Sequence, residues 1–358
     1  MVCRILGNFF GDFFIIAFFL NSSDNIKEKM LRGIIMTKKP KVVVIGGGSG
    51  ISVVLRGLKY LPIDLTAIVS VADDGGSSGA LRKEFDSPPP GDLRNVLIAL
   101  SDVEPIIEDV FQYRFEKGTS LGGHPLGNLL ILAMHEITGD IGEAMYRLRK
   151  LFNIKAKILP ACPEKVVLYG EMEDGEIVEG ESKIPTKDKK IKRVFFKRNI
   201  KAPELNLKEL EDADLIVFGI GSLYTSVLPN LILDGIKQAL KKNKGKVVYV
   251  CNAMQQPGET LGYTAYDHVK ALCDVIGNGI IDEVIVDSRA IPQETLDRYK
   301  KYQGGRVIVD KEKIEDLGIR VVDRDILEVD SRGMVRHHPY KLAATLYSLI
   351  DKWGDFYV

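Results

Sequence analysis

Cysteine is scarce in this sequence and poorly spaced for chemistry. The four cysteines, Cys3, Cys162, Cys251 and Cys273, form no C-x-x-C pair. That points to a reducing compartment and away from a structural metal. An excess of either charge is missing too: 49 basic side chains balance 49 acidic ones. Nothing in the total charge therefore draws the chain to nucleic acid or to an anionic membrane. Long apolar runs are also lacking. Phe13 to Leu20 is strongly apolar, but Asn8 and Asp12 interrupt it upstream, and it falls short of the roughly 20 residues that span a bilayer. No A-x-A-like cleavage site follows it. There is no Ser-His-Asp order, no reactive Cys-His pair, no internal repeat and no low-complexity tract. What remains is a 358-residue chain, 45% hydrophobic and 27% charged, the composition of an ordinary globular protein of one large domain or two fused ones.

The chain is organised around residues 41–79. Lys41-Val-Val-Val-Ile45 is a β-branched strand that stops at Gly46-Gly47-Gly48-Ser49-Gly50. Ile51 to Leu58 then has helical spacing, so this stretch reads as strand, glycine turn and helix. The unpaired N–H groups of a helix start favour an anion, glycines permit close approach, and Ser49 adds a hydroxyl. The loop matches neither standard fingerprint. G-x-G-x-x-G would need glycine at Ile51, and a Walker loop needs a lysine that does not follow Gly50. A second strand, Leu65 to Val71, ends on Ala72-Asp73-Asp74-Gly75-Gly76-Ser77-Ser78-Gly79.

The proline-rich 84–91 stretch connects to Asp92, expected as a helix N-cap, with Arg94 and Asn95 in the first turn. The cluster Leu121-Gly-Gly-His124-Pro-Leu-Gly-Asn128 opens a second apolar helix, 129–137, and Gly139-Asp140 caps a third, 141–152. Residues 155–203 read as a β-meander insertion with strands at 155–158, 166–169 and 191–196 and a turn at 173–176. Its basic run, 187–201, contains Phe195 and Phe196 and reads as a solvated strand face, not a nucleic-acid surface. The α/β pattern resumes with strand 214–219, the loop Ile220-Gly221-Ser222-Leu-Tyr224-Thr225-Ser226 and a helix from Pro229 to Leu240 that includes Asn230. Strand 246–251 ends on Asn252. Helix 267–275, strands 283–286 and 306–309, and a last helix 340–352 complete the chain.

The fold class expected is α/β: a Rossmann-like, doubly wound, mostly parallel sheet with a small β-meander insertion. Four strand ends, at 46–50, 73–79, 219–226 and 252–260, then share one edge and form a long polar cleft. Such a cleft suits a ligand with phosphates in the middle and hydroxylated groups at its ends. Asp73 or Asp74 bonds a ribose, or the pair holds Mg²⁺ against a pyrophosphate.

The runs IGGGSGISVVLRGLK, VADDGGSSGALR, PPPGDLRNVLIAL, FQYRF, GHPLGNLLI, GSLYTSVLPNL and NAMQQPGET with YDHV resemble the gluconeogenesis factor family. This is the YvcK-like branch of the CofD family, related to 2-phospho-L-lactate transferase. The resemblance covers about residues 40 to 345. It implies a Rossmann-like core in a cytoplasmic bacterial protein that binds UDP-sugars, such as UDP-N-acetylglucosamine or UDP-glucose. It also implies support of cell shape and wall integrity during gluconeogenic growth. Residues 1–35 read as a non-native extension, with the native start at Met30 or Met36, and 36–358 as one CofD-type domain.

This sequence departs from the family pattern at several positions. Ser49 stands where the family usually has threonine, Ile220 where it has proline, and Gln255 where it has threonine. Near the C-terminus, Arg336-His337-His338-Pro339 replaces the family's Arg-His-Asp-Thr. Arg336 keeps the arginine that the resemblance places at the ligand, while Pro339 has no hydroxyl to phosphorylate. The expected ligand set is Gly46, Gly47, Gly48, Ser49, Gly50, Asp73, Asp74, Gly75, Asp92, Asn95, His124, Asn128, Gly221, Ser222, Tyr224, Thr225, Asn230, Asn252 and Arg336. No obligatory cofactor, nucleic-acid partner or membrane span is expected; a homo-oligomer is. The alternative is a Mg²⁺-dependent phosphoryl or nucleotidyl transferase using Asp73 and Asp74. An NAD(P) oxidoreductase is the weakest reading, because the fingerprint fails at Ile51.

Overall fold

The computed structural model describes residues 39–350, except 103, 117, 120, 188, 302 and 303. The expected extension 1–35 and the end of the last helix past 350 lie outside the described residues. In chain order the strands are β1 (Lys41–Gly46), β2 (Asp64–Val69), β3 (Lys157–Pro160), β4 (Tyr169–Met172), β5 (Ile177–Glu179), β6 (Ile191–Phe195), β7 (Leu215–Phe218), β8 (Lys246–Val250), β9 (Glu283–Val286), β10 (Arg320–Asp323), β11 (Leu327–Val329) and β12 (Val335–His337). The helices are α1 (Gly48–Leu58), α2 (Gly76–Glu84), α3 (Gly91–Leu100), α4 (Glu104–Gln112), α5 (Leu126–Thr138), α6 (Ile141–Leu151), α7 (Glu204–Glu211), α8 (Leu228–Leu231), α9 (Ile236–Lys242), α10 (Ala265–Ile276), α11 (Gln293–Lys300), α12 (Lys311–Glu315) and α13 (Pro339–Ser348).

Seven strands form one parallel sheet in the order β10-β9-β8-β7-β1-β2-β3. The order reverses at β1. From there the chain winds outward through β2 and β3, and on the other side through β7 to β10. The crevice between β1 and β7 is thus the topological switch point, where open α/β sheets place their ligands.

The β-branched runs that suggested strands are buried on both faces, as a parallel sheet requires. Along β1, Val43 and Ile45 point into one core and Val42 and Val44 into the other. The second core is roofed by α1, α3, α6 and α13. Gly57 of α1 lies against α13 so closely that a Cβ there would stand 2.2 Å from the Pro339 carbonyl oxygen. The first core is covered by α7, α9 and α10 and by the small antiparallel sheet β5-β4-β6, which contributes Met172, Val178, Ile191 and Val194, with Leu168 and Ile184 from the segments beside it. The insertion therefore completes the core and is not an appendage.

Four expectations need correction. Residues 157–160 pair with β2 in the main sheet, so the meander begins only after them. Residues 306–309 are not a strand; Arg306 makes a single bridge to Met254. The helix expected from Pro229 to Leu240 is broken in two: α8 ends at Leu231, the Asp234 backbone pairs with Ile200 and Ala202, and Gly235 at φ +93° stands before α9. Asp92 is not an N-cap: α3 begins one residue earlier, and Asp92 lies within its first turn.

A cleft at the switch point

Four helices, α1, α2, α3 and α5, begin along the cleft, and hydrogen bonds lock their starts together. The first link is between α1 and α3. The Asp92 carboxylate accepts the Gly48 N–H, so a side chain of one helix caps the next. The contact is too close for any side chain at position 48, where a Cβ would stand 2.2 Å from the Asp92 carbonyl oxygen. Gly50 meets the β7 loop in the same way, with the Ile220 carbonyl oxygen 1.9 Å from the position of a Cβ. Backbone packing at the switch point thus demands glycine at 48 and 50, independently of any ligand. Ser49, between them, is exposed.

The second link runs through side chains. His124 Nδ1 lies 2.9 Å from Ser77 Oγ. The same hydroxyl accepts a bond of 3.1 Å from Asn128 Nδ2. Arg94 donates to Asn128 Oδ1 at 3.0 Å and to Asn95 Oδ1 at 3.1 Å. Ser78 Oγ accepts the Gly91 N–H at 3.1 Å. These bonds join the starts of α2, α3 and α5. Arg94 is 8% exposed, and its Nε has no hydrogen-bond partner among the described residues. This puts a buried positive charge with an unused donor beside several helix starts.

The carboxyl groups have separate tasks. Asp73 Oδ1 accepts the Gly75 N–H at 2.9 Å. Asp74 turns to the insertion, where Oδ1 accepts the Ser182 N–H at 2.8 Å. Desolvation, with a further push from the charge of Asp73, raises the Asp92 carboxyl to about 7 even though the Gly48 N–H favours its ionised form. Glu181 lies near the Thr225 hydroxyl, whose proton goes to Glu259. Desolvation, reinforced by the negative charge of Asp73, raises the Glu181 carboxyl to about 8. Among the described residues, no three His, Cys, Asp or Glu side chains converge to hold a metal ion.

The opposite wall is the loop after β7 and the one after β8. Asn252 Nδ2 donates to the Gly221 carbonyl at 2.8 Å, and Gln256 Nε2 to Ser222 Oγ at 2.6 Å. The buried Glu259 carboxylate accepts the Tyr224 N–H at 2.9 Å and the Thr225 hydroxyl at 2.6 Å. It fixes the turn 223–227, which has π-helical pairing. Desolvation raises its pKa as well.

The expected ligand residues thus divide. Residues 46–50, Asp73, Gly75, Asp92, Asn95, His124, Asn128, Gly221, Ser222, Thr225 and Asn252 meet at the switch-point edge. Tyr224 turns away, its hydroxyl 2.8 Å from that of Tyr263. Asn230 is buried and donates to the Ser226 carbonyl at 2.7 Å. Arg336 is exposed on β12 and lies 3.5 Å from Asp330. The next residue, His337, packs inward and shares a small cavity with Asn252 and Asp287. Three residues join the site that the expected set omitted. Arg94 sat unused within the PPPGDLRN run. Glu259 lies within the 252–260 strand end and the NAMQQPGET run, whereas Glu181 carries no local sequence signal, because the tertiary fold alone brings it in.

Fold and cleft define a doubly wound α/β protein whose site is built from helix starts at the switch point. The family model described as "2-phospho-L-lactate transferase CofD" matches residues 42–327. The gluconeogenesis factor of Bacillus subtilis is 50% identical over 318 residues, covering 88% of this chain and all of the relative. That of Halalkalibacterium halodurans is 51% identical over 311 residues, covering 86% of this chain and 96% of the relative. A crystal structure of a Bacillus halodurans protein superposes with a TM-score of 0.84 at 50% identity, covering 86% of this chain and 99% of that one. The chain belongs to the CofD family, in its gluconeogenesis factor branch.

Proposed function

We propose that this protein is a cytoplasmic regulator that binds a UDP-sugar, UDP-N-acetylglucosamine or UDP-glucose, in the switch-point cleft and supports cell shape and wall integrity during gluconeogenic growth. One observation carries the binding reading. The starts of α2, α3 and α5 are tied together through Asn128 and Arg94, a buried arginine whose Nε has no partner among the described residues. Helix N-termini and a guanidinium together suit a pyrophosphate. Ser49, exposed in the first turn of α1, adds a hydroxyl donor. Asn95, His124 and Asn128 line the same wall; Arg336, which the family resemblance assigns to the ligand, stands exposed on β12 beside Asp330. Family membership supports the physiological half of the proposal.

The second reading, a Mg²⁺-dependent phosphoryl or nucleotidyl transferase, is favoured by the family description as a transferase and by Asp73 at the cleft. In the regulator reading binding needs no metal, which fits an Asp74 already engaged by the Ser182 N–H. Calorimetry with UDP-N-acetylglucosamine in EDTA and in Mg²⁺, on the wild type, Asp73→Asn and Asp74→Asn, separates the two. Equal affinity in both buffers supports the regulator. A Mg²⁺ requirement that disappears in the variants supports the transferase.

A further inference from the structure

The insertion sends one segment, residues 180–186, across the cleft, and it is fastened at both ends. At one end Asp74 Oδ1 accepts the Ser182 N–H at 2.8 Å. Gly180 there, at φ +105°, leaves room for Asp74 Oδ2, which would be 2.5 Å from a Cβ. At the other end the Pro185 carbonyl oxygen would be 1.9 Å from a Cβ on Gly258, in the loop after β8. Ile184, between them, is fully buried in the core. The strap therefore joins the loop after β2 to the loop after β8.

From this strap the half-buried Glu181 carboxyl lies near the Thr225–Glu259 pair on the far wall, with Asp73, Asp92 and Glu259 as its charged neighbours. Placing a carboxyl among three others opposes stability, so this group marks a site and not a structural tie. The cleft is thereby divided. Its Arg94 side, with an unpaired Nε and helix starts, takes an anion. Its Glu181 side repels phosphate but suits neutral hydroxyl groups, which donate to carboxylates and accept from protonated carboxyls.

We propose that the fastened 180–186 strap covers the bound ligand and that Glu181 reads a hydroxyl of its sugar, making it the residue that separates a nucleotide sugar from the bare nucleotide. This rests on the UDP-sugar reading above and adds the orientation of the ligand: phosphates towards Arg94, sugar under the strap. Asp74 is then a positioning residue, acting through Ser182.

The test is calorimetry with UDP and with UDP-N-acetylglucosamine on the wild type, Glu181→Ala, Glu181→Gln and Asp74→Asn, with hydrogen exchange followed at 180–186. The wild type binds the nucleotide sugar more tightly than UDP. Glu181→Ala lowers affinity for the nucleotide sugar about tenfold, the value of one hydrogen bond, and leaves UDP binding within twofold. Glu181→Gln, which keeps one acceptor, falls between. Asp74→Asn, which keeps an acceptor for the Ser182 N–H but loses its charge, speeds exchange at the strap and lowers the same preference by less than Glu181→Ala does. A Glu181→Ala protein that keeps the wild-type preference overturns the inference while leaving UDP-sugar binding intact. A wild type that binds neither ligand overturns the UDP-sugar reading itself and the inference with it.

Discussion

Replacing Gly48 with alanine tests whether the glycine loop is dictated by packing. The added Cβ would lie 2.2 Å from the Asp92 carbonyl oxygen and 2.4 Å from its Cα. Both atoms are backbone, so no rotamer change relieves the contact. Reaching even 3.0 Å requires α1 and α3 to part by about 0.8 Å at their starts. Leu93, Val96 and Leu97 of α3 and Ile51, Val54 and Leu55 of α1 are all fully buried at that junction. Overpacking of a rigid core typically costs 1–3 kcal/mol, and a backbone clash belongs at the upper end, near ~3 kcal/mol. At roughly 2 °C per kcal/mol for a chain of this size, the melting temperature falls by about 6 °C. Gly76→Ala is the control. It has φ +46° but nothing within 4 Å of a Cβ, so it carries only the left-handed penalty of about 1 kcal/mol. Differential scanning calorimetry of the two variants decides. A Gly48→Ala protein that melts within a degree of the wild type, or above Gly76→Ala, refutes the packing account. For the same reason Gly48→Val cannot serve as a binding test, because it damages the fold before it reports on a ligand.

Ser49→Ala, at an exposed position in the same loop, should leave stability within about 0.5 kcal/mol and weaken UDP-sugar binding by about 1.5–3 kcal/mol, read by paired melting and calorimetry. Arg336→Lys should lose most of the affinity if the exposed guanidinium closes on the phosphates, since an ammonium cannot copy its fork; an unchanged Kd removes Arg336 from the site. Stability should also depend on the two raised carboxyls. Asp92 at about 7 and Glu181 at about 8 hold protons that the unfolded chain releases near pH 4. Their contribution therefore falls as pH rises from about 4 to 8. Glu181→Gln removes one of these protons from the balance, so urea melts should show its stability rising relative to the wild type between pH 5 and pH 8.5; a constant difference contradicts the assignment.

The strand–glycine–helix opening was legible because a β-branched run, a glycine cluster and helical periodicity all agree there. The parallel sheet followed from strand runs with no polar alternation. What was not legible depended on distance in sequence. Ala156-Lys157-Ile158 reads equally well as an edge strand or as part of a meander, and only its pairing with Thr66 and Ala67 chooses. The run Arg306–Val309 has strand composition but pairs with the loop after β8, where Val307 N–H donates to Ala253 and Gln255 N–H to Gly305, and not with a strand of the sheet. Asp92 looks like a cap because it follows Pro-Pro-Pro-Gly, yet its carboxyl bonds a helix 44 positions earlier, at Gly48. Loop polarity marked the cleft without showing which side chains turn in. Tyr224 and Asn230 sit in a motif at the site but brace the turn from behind. Glu181 comes from an insertion that no local pattern ties to the glycine loops, and its place becomes visible only through Thr225 and Asp73.

The central claim is that the crevice between β1 and β7 holds the pyrophosphate of a UDP-sugar. A crystal structure of the protein grown with UDP-N-acetylglucosamine measures this directly. The account predicts phosphate oxygens within hydrogen-bond distance of the Ser49 hydroxyl and the Arg94 guanidinium, with the sugar beneath residues 180–186. A nucleotide seated elsewhere, such as the large groove of about 920 Å³ between β6 and α10 lined by Lys192, Leu231 and Tyr263, would contradict it.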